Sequence, residues 1–162
     1  MKKILFLFVS LQFFIALNAQ NIIDKKTVWS YTIDNVENTE WKQLNYDYTA
    51  WKEANGIFGN TYVDEYRVET VLNDNSENSE IITTYFRKTF TFKKTNKETA
   101  FVINALIDNG AVIYINGVEV VRFNISDGEV NNTTYTTNIV DNADYKQFMI
   151  PVSSINDGVN II

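Results

Sequence analysis

The feature that most limits what this chain can fold into is Asn116-Gly117, set between the apolar stretches 111–115 and 118–121. A two-residue type I′ turn needs positive φ at both central positions, which Asn and Gly tolerate better than other residues. The pair therefore predicts a tight antiparallel hairpin. Its register places Ile115 opposite Val118 and Ile113 opposite Val120 on one face. Tyr114 with Glu119, and Val112 with Val121, then share the other face.

Strand-like patterning recurs along most of the chain. Residues 81–92, IITTYFRKTFTF, are rich in β-branched and aromatic side chains. Period two puts Phe86, Phe90 and Phe92 on one face, interrupted by Lys88, with Tyr85, Arg87 and Thr89 on the other. The stretches 101–107 and 111–115 are nearly continuous apolar runs, as in strands covered on both faces. Further strands are expected at 27–32, 133–140, 145–150 and from Gly158 onward. A helical turn is expected only at 48–54, and the polar segment 73–80 is expected to be a surface loop. No internal repeat or linker interrupts this pattern. The expected fold is all-β, a single antiparallel β-sandwich.

The start of the chain is organised differently. A basic Met1-Lys2-Lys3 precedes an apolar run from Ile4 to Leu17, and Ala19 supplies a small residue for cleavage. This is the layout of a cleavable secretory signal peptide over 1–19, shorter than the ~20 apolar residues of a membrane span. Residues 20–162 then form the β-sandwich domain, expected to be secreted or displayed at the cell surface and not membrane-spanning.

Composition narrows the chemistry. The 143 residues after the leader carry 12 basic and 20 acidic side chains, a net charge of −8 that disfavours nucleic acid as a partner. The sequence has no Cys and no His. Disulfides, Ser-His-Asp and Cys-His nucleophile systems and imidazole zinc sites are all excluded. A bound metal would be a hard, oxygen-liganded cation such as calcium. Carboxylate catalysis survives composition, but no second positioned acid accompanies Asp108 or Glu119. Arg87 and Arg122 are expected to pair with Glu119 or other acids across the sheet surface.

Several blocks together resemble a galactose-binding-like jelly-roll module of large secreted bacterial proteins. They are Trp29-Ser30-Tyr31, Trp41, YDYTAW at 46–51, GIFG at 56–59, TTYFRKTF at 83–90 and DNGAVIYINGVEVVRFN at 108–124. The likeness runs from about Val28 to Ile162. It implies a jelly-roll sandwich of the kind often attached to metallophosphoesterase or other hydrolase domains. Asp108-Asn109-Gly110 departs from the Asp-Asp-Gly usual in such modules. The family also continues past its Gly-x-Asn-x-Ile strand, here 158–162, so the last strand is expected to be truncated and the domain incomplete at its C-terminus.

Two sets of residues are candidate sites. Trp41, Tyr46, Tyr48 and Trp51 could stack on sugar rings, or could close one end of the sandwich. Asp108-Asn109-Gly110 reads as a tight turn in which Asp108 caps backbone N–H groups and Gly110 takes positive φ. It reads alternatively as a calcium site completed by Asp127 or Glu129. Asn124 and Asn132 match the glycosylation pattern and are expected to be turn residues, alongside the structural turn pairs Asn109-Gly110 and Asn116-Gly117. The expected function is a non-catalytic accessory module that binds glycan or packs against other domains of the same chain. The alternative is the N-terminal domain of a secreted hydrolase whose catalytic domain lies beyond residue 162.

Overall fold

The computed structural model describes residues 20–59, 68–72, 81–95, 97–140 and 143–162. The segments expected to be a leader, 1–19, and a surface loop, 73–80, lie outside these residues. Among the described residues eleven strands are formed. They are β1 (Val28–Thr32), β2 (Lys52–Asn55), β3 (Phe58–Gly59), β4 (Thr70–Val71), β5 (Tyr85–Arg87) and β6 (Thr89–Phe92). β7 (Phe101–Ile107), β8 (Ala111–Ile115), β9 (Val118–Phe123), β10 (Asp144–Ile150) and β11 (Gly158–Ile161) follow. Helix among the described residues is limited to two single turns, Glu40–Lys42 and Val152–Ser154. The fold is all-β with several antiparallel sheets, consistent with a β-sandwich.

β1 is the centre of a three-stranded sheet, flanked by β2 and β5. β5 continues into β6 across Lys88, whose backbone exchanges two hydrogen bonds with Ile162 at 2.9 and 3.0 Å. β6 in turn pairs with β11, from Gly158 opposite Phe92 to Ile161 opposite Thr89. The TYFRKTF segment thus joins β1 on one side to β11 on the other. Lys88 fits within this apolar setting because its Nζ donates to the Val28 carbonyl at 3.0 Å.

The β8–β9 hairpin turns at Asn116 (φ 52°) and Gly117 (φ 82°), the two positive values a type I′ turn requires. Ile115 faces Val118 and Tyr114 faces Glu119 as the alternation predicts. Beyond them the register slips: Ile113 faces Val121 and Val112 faces Arg122. The extra residue is a β-bulge at Val120. It lets Val121 enter the core, where an unbroken ladder would have turned it outward with Val112.

Other expectations also change. Residues 133–140 form no strand, because Asn124 draws this segment into loops. The Asn138 carbonyl and amide and the Thr137 hydroxyl bond to the Asn124 side chain: Nδ2 donates to Asn138 O, and Oδ1 accepts from Thr137 Oγ1 and Asn138 N. The stretch 48–54 holds only a turn at 48–51, closed by Trp51 N donating to Tyr48 O, and its last residues already belong to β2. β7 is covered on one face rather than two. Phe101 and Ile107 are buried while Val102, paired with Met149 of β10, is 52 % exposed.

Phe101, Ile115, Val121, Ile150 and Ile155 form the core cluster, with Phe90, Phe92, Phe123 and Phe148 packed against it. Each fully buried side chain of this size contributes roughly 1.5–3 kcal/mol. Two polar residues are sealed in as completely as this core: Arg87 at 1 % exposure and Asn160 at 0 %.

Candidate functional site

The aromatic residues between β1 and β2 converge. Trp51 lies at their centre, with ring centroids 6.5 Å from Trp41, 6.2 Å from Tyr46 and 6.4 Å from Tyr48. Trp41 fastens the group to the sheet through edge contacts with Tyr85 at 5.1 Å and Tyr114 at 5.7 Å. Tyr46, Tyr48 and Trp51 remain half-buried on one side of a shallow groove of about 540 Å³. Ser30, Asp47, Thr49 and Glu53 supply the polar remainder of its lining. Trp41 takes no part in that lining. Three of the four predicted aromatics face the groove, and the fourth anchors them.

Asp47 sets the loop that displays the two tyrosines. Its Oδ1 accepts hydrogen bonds from Thr49 N at 3.0 Å and Thr49 Oγ1 at 2.8 Å, an Asx-type turn. These bonds hold the carboxyl below its ordinary value, the backbone donor contributing most. A general acid requires the opposite shift.

Arg87 is the residue that sequence reasoning misplaced. Among the described residues it makes no surface ion pair. Its guanidinium sits beneath the loop, 4.6 Å from the Tyr48 ring centroid and 5.4 Å from that of Tyr46. Nη2 donates to the Gln43 carbonyl at 3.0 Å, whereas Nε and Nη1 are buried with no hydrogen-bond partner. Among the described residues no ion pair involves it. Burial pulls its pKa down, and the two tyrosines act in the other direction. A guanidinium nonetheless stays charged across the working pH range. The available signal was the alternation of TTYFRKTF, which puts Arg87 opposite the phenylalanines. What lies over that face comes from forty residues upstream.

The register explains the groove's floor. Ser30 lies opposite Glu53 on β2 and opposite Arg87 on β5. Residues at paired positions share a face, so an acid, a small hydroxyl and a base form one row across the sheet. The short side chain of Ser30 leaves a hollow between the two longer ones. A recess of about 210 Å³ opens there, lined by Arg87, Lys88, Tyr48, Ser30 and Glu53 among others.

The DNG turn is built otherwise than expected. Asn109, not Gly110, carries positive φ (66°). The Asp108 backbone carbonyl, not its side chain, accepts from Gly110 N at 3.0 Å. Gly110 is required for space, since a Cβ there would meet Thr136 Cγ2 at 2.8 Å and Phe123 O at 3.0 Å. Asn109 Oδ1 accepts from Val140 N at 3.0 Å, and its carbonyl accepts from Asn124 Nδ2 at 2.6 Å. The glycosylation-pattern residue Asn124 is thus a bonded turn residue. Asp108 and Asp127 are both exposed, and among the described residues no group of three or more acids is gathered that could hold a metal ion.

Glu119 and Arg122 pair as predicted, through two bonds of 2.8 and 2.6 Å. The hydrogen bond from Arg122 is the main reason the Glu119 carboxyl is held below its usual value. Comparison with protein-family models, with curated proteins and with solved structures finds no match to the chain.

Proposed function

We infer that the chain is a non-catalytic accessory module with a jelly-roll sandwich fold, exported through a leader at 1–19, that binds glycan in the groove beside Trp51. The observation that carries this reading is the meeting of Tyr46, Tyr48 and Trp51 with Ser30, Asp47, Thr49 and Glu53 around one open groove. Aromatic faces suit the apolar faces of a sugar ring, and the hydroxyl and carboxylate groups suit its hydroxyls. The groove is shallow and open, so affinity is expected near the millimolar range, about −4 kcal/mol.

The leader reading is tested by mass spectrometry of the exported protein, whose first residue is expected to be Gln20. Glycan arrays and tryptophan fluorescence titration test the binding. Trp51→Ala and Tyr48→Ala are expected to abolish it without unfolding the protein, since neither residue belongs to the core cluster. Sugar binding that survives both replacements would move the site elsewhere. Turnover of a glycoside or phosphoester by the purified chain, lost in Glu53→Gln, would make the groove an active site instead.

A further inference from the structure

We propose that the groove selects sugars bearing a carboxylate, uronic acids in chemical class, with Arg87 receiving the carboxylate. The proposal rests on the glycan reading above and adds the charge of the ligand to it.

The argument starts from the condition of Arg87. A guanidinium has five N–H donors. At 1 % exposure, this one has a single acceptor among the described residues, the Gln43 carbonyl, and its Nε and Nη1 are unpartnered. Two tyrosine faces offset part of the desolvation, but a ring face does not accept a directed hydrogen bond as an oxygen does. The nearest acid in the sheet register is Glu53, two strands away across Ser30, and it forms no ion pair with Arg87. The base is therefore held in place by the fold while its preferred partner, a carboxylate, is not supplied by the described residues.

The position of the recess makes this useful. It is lined by Arg87 itself and by Lys88, and it shares Ser30, Tyr48 and Glu53 with the aromatic groove. A pyranose lying against Trp51 and Tyr48 would have one edge directed over Ser30. Once the Tyr48 ring, 4.6 Å from the guanidinium, turns aside, a carboxylate on that edge would reach Arg87, and ring hydroxyls on the opposite side would donate to Glu53. The row of base, small hydroxyl and acid thus matches a ligand with an acidic end and a hydroxylated end. A neutral sugar leaves the base unanswered. Glu53 also opposes any ligand with a second carboxylate on its own side.

The test uses the whole chain with four probes: methyl glucuronide, its uncharged amide, methyl glucoside and acetate. Tryptophan fluorescence reads binding at Trp51. The glucuronide is expected to bind about tenfold or more tightly than the amide and the glucoside, as a charge-assisted hydrogen bond in a desolvated recess implies. Arg87→Met keeps the stem and removes the charge. It is expected to bind all three sugars equally weakly. Should that variant not fold, the glucuronide–amide comparison on the unaltered chain decides alone, because those probes differ only in charge at one group. Equal binding of glucuronide, amide and glucoside would overturn the proposal and leave the glycan reading standing. Acetate binding as tightly as glucuronide would keep the carboxylate at Arg87 and overturn the glycan reading. No binding by any probe would overturn both.

Discussion

Replacing Asn160 by Leu removes four hydrogen bonds from a completely buried side chain while nearly conserving its shape. Oδ1 accepts from Asn156 N at 2.7 Å and from Asn116 Nδ2 at 2.8 Å. Nδ2 donates to the carbonyls of Asn156 and Gly158, both at 3.0 Å. Every bonding position of the amide is therefore in use. Each such bond is worth about 1 kcal/mol net, and the greater apolarity of Leu returns roughly 1 kcal/mol by burial. Asn116 keeps a second acceptor, Ser154 O at 3.1 Å, and Asn156 is exposed enough for water to reach it. The expected loss is therefore about 3 kcal/mol, a large share of the roughly 5–15 kcal/mol that holds a domain folded. For a chain of this size that corresponds to a fall of about 10 °C in Tm. Urea denaturation followed by circular dichroism measures the free energy, and a thermal scan measures Tm. Val159→Leu, at a position 53 % exposed on the same strand, is the control and is expected to change neither. An Asn160→Leu protein melting within about 2 °C of the unaltered chain would refute the reasoning, because the amide would then not be holding the 154–156 turn to the hairpin.

Gly117→Val places a β-branched residue at φ 82° and its Cβ against the Gln43 amide, so a loss of about 2 kcal/mol is expected in urea denaturation. Gln43 can move aside, and the backbone strain is then the larger part. The Glu119–Arg122 pair should contribute below about 1 kcal/mol, since the carboxylate is more than a third exposed. Its folded pKa lies below the ordinary 4.5, so the contribution is present above that value and fades as pH falls through the lowered folded pKa. Glu119→Gln should flatten that part of the stability–pH curve and leave neutral-pH stability nearly unchanged. Millimolar calcium is expected to shift Tm by less than about 1 °C. A larger rise, abolished by Asp108→Ala, would establish an ion at the DNG turn.

How far the sequence disclosed this structure depended on whether the deciding interaction was local. Asn116-Gly117 was legible because positive φ is a property of the two residues themselves. Tyr114 opposite Glu119 followed from it at one step's distance. The bulge at Val120 was not legible, because it answers to where the core lies beneath Val121. Thr, Tyr and Val within 133–140 favour a strand, but Asn124 supplies acceptors and donors that hold those backbone groups in a loop. Arg87 was assigned the correct face and the wrong environment, since alternation separates the two faces of a strand without saying which is covered. Asn160 carried no signal at all. Its partner Asn116 is 44 residues earlier, and nothing in Gly-Val-Asn-Ile distinguishes a buried amide from an exposed one. The aromatic cluster was visible as spacing, but the groove it borders depends on Ser30 meeting Glu53 and Arg87 through pairings no local pattern encodes.

The strand 158–161 has a consequence for the order in which its partner elements can be closed. It satisfies the open edge of β6, while Asn116 Oδ1 receives the Ile161 amide at 3.1 Å and the Asn116 amide N–H reaches the Ile161 carbonyl at 2.9 Å. All of these partners precede it in the chain. A polypeptide emerging from its N-terminus therefore presents TYFRKTF and the hairpin turn before the residues that close them exist. During that interval the β6 edge is an open template for pairing with another chain. Synthesis or threading that pauses short of residue 160 leaves β6 and the hairpin turn without this clasp, so strand 158–161 governs when those elements can commit to one structure.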